Sequence, residues 1–224
     1  MYHRYTSEQL EKKANKILGD YKNGDLLLKP QALDVDDFAE FQLDLAIDCA
    51  LLSNDGKTLG CMCFNDGYME VWNPDKSIYE PISVQEGTLF IDSNLEDNAV
   101  EGRIRFTIMH ECAHWILHRR FYYQEKGQTI PKFDYPVYRA EKWEKYPPRS
   151  DEDMREWQAN RLAAALLMPA SSVKIFFINK LKLSEENLKN LVLSPVCIDE
   201  MADLYKVSKQ AMKYRLRDLG MVSE

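Results

Sequence analysis

Residues 101–120 read EGRIRFTIMHECAHWILHRR, and Ile104, Ile108, Cys112 and Trp115 or Ile116 recur there at helical spacing. That stripe calls for a deep helix, and the helix must also carry His110-Glu111-Cys112-Ala113-His114, an HExxH pattern. On a continuous helix the two histidines lie one turn apart, about 6 Å along the axis, on one face. Both imidazoles then reach a single metal ion, for which zinc is the expected choice. Glu111 stands beside them, placed to take a proton from the attacking water and to pass it on to the leaving amine. An unassisted water is too weak a nucleophile for an amide, whereas zinc can bring its pKa to ~7. The pattern therefore reads as a hydrolytic centre with His110 and His114 as ligands of one Zn2+ and Glu111 as general base.

A catalytic zinc of this kind takes three protein ligands. The HExxHxxGxxH scheme fails, because its glycine and third histidine positions hold Leu117 and Arg120. His118 lies about 12 Å along the axis from His110 and is expected to cap or pack the last turn. A carboxylate from a following helix is the alternative. Glu156 is the best candidate, since the helix that contains it is strongly apolar on its other side and must dock. Glu152, Glu144 and Asp153 are its rivals. Asn160, one turn beyond Glu156, would point the same way and could hydrogen-bond a ligand or a nearby backbone group. Tyr122, Tyr123, Tyr135, Tyr138 and Arg119 are candidates for substrate or oxyanion contacts.

The remainder of the 224 residues is ordinary globular sequence, 45% hydrophobic and 29% charged. Thr6 and Gln9 match a capping box ahead of Leu10, Ala14, Ile17 and Leu18, a helix that should end near Gly19. DLAIDCALLS and TLGCMCF flank Asn54-Asp55-Gly56, a hairpin signal, and Asp66-Gly67 precedes YMEVW, with TLFID following. A small antiparallel or mixed sheet of three or four strands is expected. Residues 121–149, broken by Pro131, Pro136, Pro147 and Pro148, read as a long ordered excursion. A second helix should start near Ser150, capped by its hydroxyl, and stop at Pro169. Short helices are expected at 172–180, 185–192, 198–205 and 208–219. The fold class is α+β, with residues 1–195 as the metal-binding domain and 196–224 as an appended helical segment.

A formal charge of −7 gives no global attraction to DNA or to an anionic membrane. The N-terminus lacks the apolar run of a signal peptide, and no stretch approaches 18 apolar residues, so a cytoplasmic location without membrane attachment is expected. Cys49, Cys61, Cys63, Cys112 and Cys197 form neither an even disulfide set nor a CxxC knuckle and read as reduced thiols. Cys61 and Cys63 would share one face of a strand and be buried.

The stretch Arg103–His118, followed by EWQANRLAAALLMP from Glu156 to Pro169, resembles the ImmA/IrrE family of metallopeptidases. Its RFTxxHExxHxxLH and ExxANxxAAxLLMP elements both have counterparts here, with Asn160, Ala163, Ala164 and Pro169 in matching places. The resemblance implies a zincin-like helical core and makes Glu156 the third zinc ligand. It also marks Phe121–Arg149 as an insertion. Members are bacterial or mobile-element proteins; several are antirepressors that cut a helix-turn-helix repressor, and others serve stress or toxin–antitoxin control.

The segment IDEMADLYKVSKQAMKYRLRDLG is similar to the ending common in that family, which is also a helix-turn-helix pattern. Ile198, Met201, Ala202 and Leu204 would form one apolar face, and Val207, Ala211, Met212 and Leu216 or Leu219 the other. Lys209, Lys213, Arg215 and Arg217 could be drawn as a basic reading helix, but Asp199, Glu200, Asp203 and Asp218 dilute the field, so structure or partner docking is favoured over DNA. The expected function is endopeptidase action on a partner regulator of the repressor or antitoxin type. Two rivals stand beside it: a DNA-binding regulator with a structural or sensory metal, and a narrow peptidase or amidase for short peptides. A structural metal would recruit a fourth side chain, and no further His or Cys pairs with the motif at close spacing.

Overall fold

The structure is a computed structural model in which residues 3–98, 101–122, 150–182, 184–189 and 191–222 are described, 96–98 by their backbone only. It contains helices α1 (Ser7–Asp20), α2 (Asp25–Leu28) and α3 (Val35–Asp37), then strands β1 (Ala46–Ala50), β2 (Gly60–Met62), β3 (Gly67–Asn73), β4 (Ile78–Val84) and β5 (Thr88–Asp92). Helices α4 (Ser93–Asn98), α5 (Glu101–Tyr122), α6 (Asp151–Leu167), α7 (Ala170–Leu181), α8 (Pro195–Tyr205) and α9 (Lys209–Asp218) follow. This is the α+β architecture expected. Among the described residues no single helix is long and apolar enough to cross a membrane. The chain divides into two compact units: one of residues up to Tyr5, Val35–Ala99 and Thr107–Asn160, the other of Thr6–Asp34, Val100–Phe106 and Arg161–Glu224.

In the first unit, strand order is β1-β5-β2, with β1 parallel and β2 antiparallel to β5. The hairpin expected around Asp55-Gly56 does not pair its own flanks, because β5 lies between them. Side-chain burial explains the order. Leu89, Phe90 and Ile91 are buried on both faces, which suits a central strand, while β1 is largely exposed and suits an edge. Asp92 at the end of β5 then ties down the intervening loop: its carboxylate accepts the Leu52 N–H at 2.8 Å, and its own N–H reaches Leu59 O at 3.0 Å.

β3 and β4 form a separate antiparallel pair in which Gly67 faces Val84. β4 was not foreseen in the sequence, because Pro81 interrupts it; a two-stranded ribbon has outward edges where a proline needs no ladder donor. Asn73 shapes the turn, accepting from the N–H groups of Asp75 (3.0 Å) and Lys76 (3.2 Å). Leu52, Cys61, Cys63, Met69, Val84 and Phe90 pack into one apolar cluster. Cys61 and Cys63 are buried, as expected of one strand face, and all five cysteines are free thiols.

In the second unit α1 begins with the expected capping box, Thr6 and Gln9 each bonding the other's backbone, and buries Leu10, Ala14 and Leu18. The helix expected at 185–192 is only a short 3-10 turn, Glu185–Asn187. Beyond it Leu188 is buried and the Leu191 N–H bonds Met221 O at 2.7 Å, a long-range tie that a helix there would forgo.

α8 and α9 are capped by Ser194 and Ser208 and bury Met201, Ala202, Tyr205, Met212 and Leu216. The turn between them meets Gly102 at very close range: a Cβ there would lie 2.8 Å from Ser208 N. Arg105 adds a hydrogen bond from Nε to Lys206 O at 3.1 Å.

Two assignments in this region change. Leu204, expected on the apolar face, is 37% exposed, and Tyr205 takes the inward place. Arg215, drawn as a possible nucleic-acid contact, is fully buried. Its Nε donates to Met168 O at 2.9 Å and its two terminal nitrogens clasp the Glu11 carboxylate. Lys209 is exposed and paired with Asp199 at 2.7 Å, and Lys213 and Arg217 are exposed. The helical period turns one of the four basic side chains inward, where it binds a carboxylate and a carbonyl.

Leu216→Ala should destabilise the protein by about 2–5 kcal/mol through an unfilled cavity. Leu204→Ala should stay within about 0.5 kcal/mol. Urea unfolding of the two variants checks the contrast.

Candidate metal centre

α5 presents His110, Glu111, His114 and His118 in succession, and all four side chains are buried. α6 starts on Ser150, whose Oγ accepts the Asp153 N–H at 3.0 Å, as the cap at that serine predicts. That start sets the phase in which Glu156 and, one turn later, Asn160 face inward, both buried.

Ligand atoms of His110, His114 and Glu156 all lie within 4.8 Å of one another. His110 Nε2 is 3.4 Å from Glu156 Oε2, His114 Nε2 is 3.1 Å from Glu156 Oε1, and the two Nε2 atoms are 3.0 Å apart. Asn160 Oδ1 lies 2.9 Å from His110 Nδ1, so that nitrogen carries the proton and Nε2 of the neutral ring offers a lone pair. Glu156 Oε1, buried against His114, lacks a hydrogen-bond partner among the described residues. With the His114 proton on Nδ1, as on His110, three lone pairs converge in a dry place, and a divalent cation fits that donor set. Among the described residues the cluster has three members and no fourth, which suits an open coordination position.

The charges follow the same geometry. Burial works to raise the Glu156 pKa, but His114 and His110 outweigh it and hold the carboxyl well below the usual range. Burial disfavours charge on both ligand histidines; it prevails at His114, while contact with Glu156 wins at His110. Burial, opposed by His110 and reinforced by Glu156, pushes the Glu111 carboxyl up to about 8. Cys112, inside the motif, is a buried thiol whose pKa burial raises, so it behaves as core packing.

Glu111 is shaped by a strand as well as by its helix. A Cβ on Gly60 of β2 would lie 3.1 Å from Glu111 Oε1 and 2.7 Å from Thr107 Cγ2. Glycine at 60 therefore leaves the room that the carboxylate needs.

The other residues named from sequence divide. Asn160 bonds a ligand, the first of its two expected uses. Glu152 is exposed and Asp153 partly so, and neither joins the cluster. Tyr122 stacks on Phe64 at 4.6 Å, and its hydroxyl oxygen accepts from Arg155 Nε at 3.0 Å. Arg119 is committed to Glu86 at 2.7 Å and lies over the Trp115 ring. Glu144, Tyr123, Tyr135 and Tyr138 lie outside the described residues.

Two residues escaped the sequence reading, Gly60 and Arg155, and a third, His118, was expected only to cap or pack the last turn. His118 packs, being fully buried, and its Nδ1 lies 3.0 Å from His114 Nδ1. The signal was present, since 114 and 118 repeat the four-residue spacing of 110 and 114.

The family model of Peptidase_M78, the IrrE N-terminal-like domain, matches residues 78–217. The chain belongs to this family. The match runs from β4 to α9 and includes every ligand residue of the cluster. No curated protein matches the chain significantly. Family and site agree: this is a zinc-dependent peptidase domain of the IrrE type, with an HExxH helix and a downstream glutamate.

Glu156→Ala should lower zinc affinity at least about tenfold, because two imidazoles form a loose site, whereas Glu152→Ala should leave it unchanged. Competition with a chromogenic chelator measures both.

Proposed function

We propose that the protein is an endopeptidase that cuts a partner regulatory protein, with Glu111 as its general base. The observation that carries this reading is the convergence of His110, His114 and Glu156 beside a buried carboxyl whose Oε1 has no hydrogen-bond partner among the described residues. Bound there, zinc would supply Lewis acidity, polarising both the attacking water and the scissile carbonyl.

The chain's own groups do the rest. Glu111, buried beside the ligand histidines, takes the water's proton and passes it to the leaving nitrogen. Asn160 keeps the His110 ring in one tautomer, so its Nε2 stays a donor atom. Tyr122, its oxygen engaged by Arg155, retains its hydroxyl proton and is the remaining described tyrosine from the oxyanion candidates. Arg119, turned to Glu86, does not serve that role in this conformation.

Membership in an IrrE-like family favours a regulatory protein as substrate. Within that class we assign a helix-turn-helix repressor or an antitoxin-type regulator, and a cytoplasmic site of action that suits five free thiols. DNA reading by α9 loses one of its four basic residues, because Arg215 is spent internally, and Lys209 is paired with Asp199, so partner docking or structure is the reading kept for this helix.

In Glu111→Gln the amide cannot accept a proton while all three ligands remain. Zinc content should stay at one per chain, and cleavage of a co-encoded helix-turn-helix regulator should fall by about 10²–10⁴-fold. Metal analysis and a gel-based cleavage time course separate the two effects; cleavage at the parental rate would remove Glu111 from the mechanism.

A further inference from the structure

His118 is buried, carries no role in the mechanism above, and lies against a ligand. Its Nδ1 is 3.0 Å from His114 Nδ1, while His114 Nε2 points the other way, to Glu156 Oε1 at 3.1 Å. Two neutral imidazoles that meet through their Nδ1 atoms share one proton on that line. If His118 carries it, the proton of His114 sits on Nε2, aimed into the cluster, and the lone pair a metal needs is gone. If His114 carries it, His118 Nδ1 accepts, and His114 Nε2 is open. Only the second arrangement gives the three-donor set.

We propose that His118 is a positioning residue which, by accepting the His114 Nδ1–H, holds His114 in the tautomer whose Nε2 binds the metal. Asn160 does the same for His110 through an amide oxygen that can never donate. The two ligand histidines are thus oriented by different chemistry, one from the neighbouring helix and one from the next turn of their own. Burial of His118 is consistent with that task, since a neutral ring, unlike a cationic one, has an acceptor to offer. The inference rests on the zinc reading of the cluster.

The test uses the full chain loaded with zinc. Long-range ¹⁵N–¹H spectra of its imidazoles should show His118 protonated at Nε2 and His114 at Nδ1. Zinc affinity by chelator competition should fall about ten- to a hundredfold in His118→Phe, which removes the acceptor, and should recover to within about threefold in His118→Asn, whose Oδ1 replaces Nδ1. The visible spectrum of the cobalt-substituted protein should change in the phenylalanine variant and return in the asparagine one. A His118 protonated at Nδ1 in the zinc-loaded wild type overturns the proposal, and that measurement decides the matter even where the phenylalanine variant does not fold. Wild-type affinity in a folded His118→Phe overturns it too, as does an equal loss in His118→Asn. A wild type that takes up no zinc instead defeats the metal reading itself, and the difference is visible before any variant is made.

Discussion

Acceptors that face one another away from water are the constraint on which the site depends. Two imidazole nitrogens and a carboxylate converge from α5 and α6 within 4.8 Å, and nothing in an apolar interior would hold them there for its own sake. Each is kept in place from behind. Asn160 and His118 fix the rings, and the Ser150 cap sets the turn of α6 that delivers Glu156. The arrangement is costly unless a cation completes it, so the metal and the packing of these two helical segments belong to one design.

What could be read in the sequence was what depends on short spacings. HExxH, the Thr6–Gln9 capping box, the Ser150 cap, the helix periods and the likeness of Glu156–Pro169 to a known ligand helix all lie within a few turns of chain. The strand order did not show, because β1 pairs with β5 across some 40 residues, as in Ala46 facing Thr88, and a parallel pairing has no turn signal. The Asp-Gly at 55–56 marks a real reversal, yet apolarity on both faces of β5, invisible to a hairpin rule, decides which strand takes the middle. Arg215 was misread for a related reason. Its charge is plain in the sequence, but the carbonyl of Met168 and the carboxylate of Glu11 that draw it inward are contributed from far away.

His118 and Gly60 show a different kind of gap. Both act on the chemistry through another residue: one through the tautomer of a ligand, the other through space left for Glu111. Motif reasoning names the atoms that touch the reaction and is blind to those that aim them. Helix phase could have exposed His118; Gly60 became visible only when β2 was laid beside the helix.

The clasp between Arg215 and Glu11 joins positions 204 residues apart. During synthesis α1 emerges first, and at roughly 5–20 residues per second its carboxylate waits about ten to forty seconds for the guanidinium that will meet it. The second unit therefore cannot be completed piecemeal on the ribosome. That clasp forms only when both ends of the span are present, so a chain that stops short of α9 leaves the Glu11 carboxylate and the Met168 carbonyl without the guanidinium that joins them.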